Sequence, residues 1–368
     1  MRAWLRKTRE VLGVIALDLG PYHRDLSATV ADGKSGWVSL RNRQEELRPN
    51  PNGPGFLCDW RWTSALHACQ VFPRLGSAVM VAALNQWPIE LRAEGIGHVP
   101  PEISFIIPHR QVDRVPLLLA TLESILAQDV PVECIVVEQG PRPELHNLPA
   151  EVKSIHLPHP EDPTGWYKSW AYNVGAAAAR APIVVCHDGD ILVPSAYGRE
   201  LLTRFSDRQC EVVFAQRFLF YLSSEHTAQV LAERRVAAAH PPERIVQNWK
   251  GGTLAIRRST FFEIGGFDEA FEGWTGEDIE FHDRTLVRQG WHYGYLPFVH
   301  LWHPAQPDKV SSQRAANLAF TEQMMQIPRE VRVAMLKRRQ SWCHNPTHAA
   351  HPPPVRGVAG TVPRQWRP

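Results

Sequence analysis

An α/β fold built on a mixed, mainly parallel sheet flanked by helices is what three features of the sequence predict. From residue 103 onward, short apolar runs alternate with segments of helical periodicity, the pattern of strands joined by crossover helices. Several of these runs end in glycines or acids, and the carboxyl ends of parallel strands are where such sheets collect ligands. At 368 residues, 44% of them apolar and 21% charged, the chain is long enough for one large domain with a sizeable core and an appendage.

Residues 1–98 are the expected N-terminal appendage. They open on "MRAWLRKTREVLGVIALDLG", basic and then apolar, in which Val11 to Leu17 is too short to span a bilayer and no clear small-residue cleavage site follows. The chain therefore reads as cytoplasmic, with peripheral contact at the inner face of a membrane left open. The rest of the region is poorly patterned, with Gly and Pro clustered in "RPNPNGPGF" and tryptophans at 37, 60, 62 and 87, and it suggests no function. "HVPPE", His98 to Glu102, reads as a linker, because consecutive prolines exclude helix.

A main domain is expected over 99–310. "ISFIIP" predicts its first strand and "VPLLLATLESILAQ" a helix; "VECIVVEQG" and "VKSIHL" predict the second and third strands. "YKSWAYNVGAAAARA" reads as a small-residue-rich helix, and "PIVVCHDGD" as a fourth strand ending in two aspartates. Further on, "CEVVFAQRFLFYL" reads as one strand and "GGTLAIRR" as another, with Gly265-Gly266 as a turn that returns Phe267 and Asp268 to the sheet. "EDIEFHDRTLVRQG" predicts a helix closed by Gly290, followed by the extended run "WHYGYLPFVHLWHP". A helical segment over 311–344 and a disordered, Pro-rich tail over 345–368 complete the chain. The six cysteines form no CxxC pair, and Cys134 and Cys186 fall in strand-like runs, which suits buried thiols in a reducing compartment.

Forty basic against thirty-eight acidic residues, with no basic stripe, exclude an electrostatic case for nucleic-acid binding. Three groups are candidates for chemistry. Asp188-Gly189-Asp190 places two carboxylates at a strand end, a pair able to hold a hard divalent cation and equally able to be an Asp-Gly turn with surface acids. His300 and His303 follow the last strand, and neutral imidazoles suit Mn(II) better than Mg(II). "GWTGED" sets Trp274 in a glycine loop ahead of Glu277 and Asp278; the acids read as the solvated first turn of a helix or as a desolvated general base.

These residues give the chain a resemblance to GT-A glycosyltransferases of family 2 type, with a C-terminal half similar to β-1,4-galactosyltransferases and bacterial chondroitin-polymerase-like enzymes. It rests on "FIIPHR", "VVEQG", "NVGAAAA", "HDGD", "GGTLAIRRSTFFEIGGFDEAFEGWTGED" and "HLWH", across roughly 101–305. The resemblance implies a Rossmann-like fold and a nucleotide pocket lined by Pro108, His109, Arg110 and Glu138. It implies donor and metal contacts from Asp188 and Asp190, a Trp274 lid, Asp278 as catalytic base with Glu277 positioning the acceptor, and a later histidine, His300 or His303, on the metal. The cofactor the resemblance implies is Mn2+ or Mg2+, the donor a UDP-linked nucleotide sugar, and the acceptor a glycan or glycolipid.

Thr275 stands where the family often has glycine, and His300 where galactosyltransferases have methionine. An inverting transferase is the leading expectation, ahead of a retaining one and of a non-catalytic nucleotide-sugar or glycan-binding module. A sugar nucleotidyltransferase fits worst, since "IIPHRQVDRV" lacks a glycine-rich phosphate loop.

Overall fold

A computed structural model describes residues 2–27, 36–58, 64–92, 94–96, 99–158, 166–207, 210–248, 250–273, 275–305 and 312–340. Trp274, the 345–368 tail and several loop residues lie outside the described residues. In chain order the strands are β1 (Leu47–Pro49), β2 (Phe56–Cys58), β3 (Ser64–Ala65), β4 (Ile103–His109), β5 (Val132–Gly140), β6 (Val152–Pro158), β7 (Ile183–His187), β8 (Ile191–Leu192), β9 (Val212–Val213), β10 (Gln216–Tyr221), β11 (Arg244–Gln247), β12 (Thr253–Arg257), β13 (Gly290–Trp291) and β14 (Leu296–His300). The helices are α1 (Arg2–Leu17), α2 (Leu19–Ser27), α3 (His67–Val71), α4 (Pro73–Gln86), α5 (Val115–Leu126), α6 (Lys168–Ala178), α7 (Tyr197–Asp207), α8 (Ser224–Glu233), α9 (Arg258–Glu263), α10 (Glu277–Thr285), α11 (Ser312–Met325) and α12 (Arg329–Arg339).

The expected mixed, mainly parallel sheet is present, with strand order β13-β9-β12-β7-β4-β5-β6. β7, β4, β5 and β6 run parallel, whereas β12 is antiparallel to both β7 and β9. Strand alternation sorts its core. Phe105, Ile107, Cys134 and Val136 face Leu118, Leu122 and Ile125 of α5; Ile106, Ile135 and Val137 face Trp170, Ala171 and Val174 of α6. Gly175 lets α6 lie close, because a Cβ there would meet Ile106 Cγ2 at 2.1 Å. That approach sets Lys168 and Tyr172, on the same helix, beside the strand ends.

A second, five-stranded sheet runs β3-β11-β10-β14-β8. Tyr197 joins the two layers, its ring edge-on to Phe298 at 5.1 Å and 6.1 Å from Phe105. The first 98 residues share this core: Val14, Tyr22, Trp37, Val79 and Met80 are buried in it, and β3 pairs with β11. The buried guanidinium of Arg217 donates to the carbonyls of Val38 and Leu40.

Three expectations are corrected. The run 210–222 is two strands in different sheets, β9 and β10, because the chain bends at Phe214-Ala215, where the Ala215 carbonyl accepts from the amides of Tyr295 and Leu296. Gly290 does not cap α10: the helix ends at Thr285, its cap is Leu286, and Gly290 is paired in β13. The Gly265-Gly266 turn itself is as expected, with φ of +93° and +65°, but Phe267 and Asp268 join no strand: Phe267 stacks between Tyr172 of α6 and Phe281 of α10.

Candidate active site

The acids of the 277–283 run divide into two pairs with different surroundings. Glu280 is fully buried, accepting from Nε and Nη2 of Arg284 and, at 3.0 Å, from Arg332 of α12. Asp283 receives Arg329 at 2.8 Å and is also bonded by Arg332. These two tie α10 to α12. Glu277 and Asp278, one turn earlier, face the sheet instead.

Lys168 is their common partner. Its Nζ lies 2.9 Å from Asp188 Oδ1, 3.5 Å from Glu277 Oε1 and 3.6 Å from Asp278 Oδ2, and Tyr172 donates its hydroxyl to Asp188 at 3.1 Å. Burial works against the ammonium, but Asp188 and then Asp278 hold it charged, with its pKa well above the usual lysine range. For Asp278 the balance runs the other way. Burial raises its carboxyl to about 8, opposed by Lys168 and reinforced by the like charges of Glu277 and Asp188. Its side chain keeps 24% of its exposure, enough for another group to reach it. Gly251 makes room, since a Cβ there would stand 2.2 Å from Asp278 Oδ2.

The loop before α10 is tightly drawn. Thr275 has φ +84° and Gly276 φ +103°, so a β-branched residue occupies the left-handed conformation that glycine prefers. Thr275 thus holds a backbone shape that a glycine adopts without strain.

The two aspartates of Asp188-Gly189-Asp190 face different neighbours. Asp188 joins the lysine cluster; Asp190 joins the histidines. The Leu301 amide donates to the Asp190 carbonyl at 2.9 Å, which stitches the end of β14 to this turn. His303 Nε2 then lies 3.2 Å from Asp190 Oδ2 and His300 Nε2 3.7 Å from Oδ1. One ligand atom from each of the three residues falls within 4.8 Å of the others. Tyr221 stacks on His300 at 4.3 Å, and burial pushes this imidazole's pKa down against the pull of Asp190, favouring the neutral form that binds metals. Its Nδ1 is buried without a hydrogen-bond partner. His303 Nδ1 lies 3.0 Å from Arg114 Nη2 and 2.8 Å from the Pro304 carbonyl; a guanidinium only donates, so Nδ1 accepts from Arg114 and the ring proton sits on Nε2, facing Asp190, where a cation would take its place. Burial works to raise the Asp190 carboxyl, but His300, His303 and Arg114 together hold it below the usual range. One oxygen and two nitrogens in this spacing fit a divalent transition-type cation.

The remaining sequence-expected residues lie on neighbouring strands. Pro108 and His109 end β4, with His109 in register with Glu138 of β5. Burial lowers the His109 imidazole to about 4, so it is neutral near pH 7. Glu138 Oε1 accepts from the amides of Glu144 and Leu145, fixing the loop after β5, and Arg110 sits half-buried at the exit of β4. Trp274 lies outside the described residues; its neighbour Gly273 donates to the Trp166 carbonyl at 2.6 Å.

Sequence reasoning missed Lys168, Tyr172 and Arg114. A lone lysine entering an otherwise apolar helix in "YKSWAYNVG" was the available signal for the first. Arg114 Nη1 is 3.3 Å from Asp190, and a cavity of about 340 Å3 opens beside it between Leu117, Thr227, Leu231, Trp302 and His303, without reaching Asp278.

Among solved structures, a mannosyltransferase from Pyrobaculum calidifontis in complex with GDP-Man and Mn2+ aligns with 77% of this chain and 82% of its own, at 15% identity and a TM-score of 0.41, too low to carry anything across. Stretches of the chain are similar to chondroitin synthase of Escherichia coli (35% identical over 79 residues, 21% of this chain) and to an N-acetylglucosaminyl-diphospho-decaprenol L-rhamnosyltransferase of Mycobacterium tuberculosis (40% over 63 residues, 17% of this chain). These matches span only 11% and 20% of the relatives' own lengths. Over residues 100–326, well beyond half of the chain, the sequence matches the model of glycosyltransferase-like family 2, and the chain belongs to that family.

Proposed function

We propose that the protein is an inverting, metal-dependent transferase that moves a sugar from a nucleotide donor, UDP-linked, to a hydroxyl group of a glycan or glycolipid. The observation that carries this reading is Asp278, a part-exposed carboxylate at a helix start with its pKa raised to about 8, held beside Lys168 and close to the Asp188-Gly189-Asp190 turn. In the reaction Asp278 takes the proton of the acceptor hydroxyl as that oxygen attacks the anomeric carbon. Glu277 orients the acceptor, and Lys168 holds Asp278 and Asp188 in fixed relation. One base on the acceptor side suffices for a single displacement, which inverts the anomeric centre.

Asp190, His300 and His303 would hold Mn2+ or Mg2+, which when bound supplies positive charge to the departing nucleoside diphosphate. In this reading Pro108, His109, Arg110 and Glu138 border the nucleotide, Asp188, held by Lys168 and Tyr172, contacts the donor, and Trp274 is the residue proposed to cover it. The test is the anomeric configuration of the product by NMR. Inversion is expected; retention would replace this mechanism with a double displacement or an internal return. The chondroitin synthase and rhamnosyltransferase likenesses support a sugar donor without choosing among donors.

A further inference from the structure

Helix α1 carries an apolar face that nothing in the described structure covers. Trp4, Leu5, Leu12 and Ile15 are 69%, 53%, 60% and 48% exposed. At about 100° per residue they share one stripe of the helix. On the opposite side Val14 is fully buried, and Asp18, just past the helix end, pairs with Arg43 at 2.9 Å, while Leu17, in the last turn and outside the stripe, stays 56% exposed. Charge follows the same division. The only acid of α1, Glu10, lines a cavity of about 510 Å3 on the inner side, together with Asp18, Arg43 and His67. Lys7 and Arg9 are exposed and fall on either side of the stripe.

We infer that α1 is a membrane-surface helix that lays Trp4, Leu5, Leu12 and Ile15 into the interface of an anionic bilayer, its basic residues meeting lipid phosphates. An apolar stripe rimmed by cations is what such a surface attracts. A second copy of the chain fits worse, since pairing two of these faces would bring like-charged rims together. The helix lies on the membrane and does not cross it, as no described helix is long and apolar enough to span. This inference stands on α1 alone and is independent of the transfer reaction.

The experiment is co-sedimentation of the full chain with vesicles of phosphatidylcholine, with and without phosphatidylglycerol, at low and high salt. Binding is expected to the mixed vesicles, weakened by salt. The double variant Leu12→Glu, Ile15→Glu should bind at least roughly tenfold more weakly, given the apolar area withdrawn. Lys7→Glu with Arg9→Glu should abolish the preference for phosphatidylglycerol. All four positions are exposed, so circular dichroism melting should match the parent chain. Absence of binding to either vesicle, or equal binding by the parent and the Leu12→Glu, Ile15→Glu variant, overturns the inference. Sedimentation velocity run alongside covers the other occupant: a dimer dispersed by the same variant, without vesicle binding, assigns the face to a second copy.

Discussion

Asp278 and Lys168 make opposing demands on one proton, and that opposition is measurable. With the Asp278 pKa raised to about 8, the carboxyl is protonated below that pH and available as a base above it. The transfer rate at low acceptor concentration should therefore rise with pH through an apparent pKa near 8. Asp278→Asn should lower transfer by about 10²- to 10⁴-fold, the usual range for lost general-base assistance, while donor affinity measured by calorimetry is kept. Glu277→Gln, measured beside it, should weaken acceptor use without removing the pH limb. Lys168 lowers the Asp278 pKa, so Lys168→Met should move the limb to higher pH. A limb that stays in place in that variant would detach Lys168 from the base.

At the scale of elements, α10 works through the helices at its two ends. Its N-terminus delivers Glu277 and Asp278 to α6, and its inner face is locked to α12 by Glu280, Arg284 and Arg332, all buried. Arg332→Met would leave the Glu280 charge short of one partner in a dry site, and breaking a buried pair of this kind costs about 3–5 kcal/mol. Chemical denaturation should show that loss, with activity per folded molecule near the parent value, because Arg332 touches nothing that reacts. Gly175→Ala tests the seating of α6. The new methyl would overlap Ile106, and overpacking of this sort costs about 1–3 kcal/mol. For the loop ahead of α10, Trp274→Ala should cut acceptor use far more than it lowers the melting temperature. The reverse result would make Trp274 a core residue.

Across the whole molecule, what could be read from the sequence is what short-range pattern encodes. The alternation in "ISFIIP" and "VECIVVEQG" located the parallel strands, and strand ends located Asp188, Asp190, His300 and His303, because in a parallel sheet the end of a strand is already a position in space. Lys168 was missed because its partners are 20, 109 and 110 residues away in the chain. The split of 210–222 between two sheets was invisible because both halves are equally apolar, and it is their long-range pairing, β9 with β12 and β13 and β10 with β11 and β14, that separates them. Beyond the periodic stripe of α1, the N-terminal region looked unpatterned since buried residues such as Trp37, Leu40 and Leu66 sit in short elements that fill gaps against β10 and β11.

The proposed function assigns a cation at Asp190 and a base at Asp278 to one reaction, so the most direct test of the account is nucleoside diphosphate release and sugar transfer by the full chain with a panel of nucleotide sugars, after EDTA treatment and then with Mn2+ restored. The account predicts turnover of at least one donor that EDTA abolishes and Mn2+ recovers, and no comparable recovery in Asp190→Ala. Full turnover in EDTA, or a parent-like rate from Asp190→Ala, would contradict it.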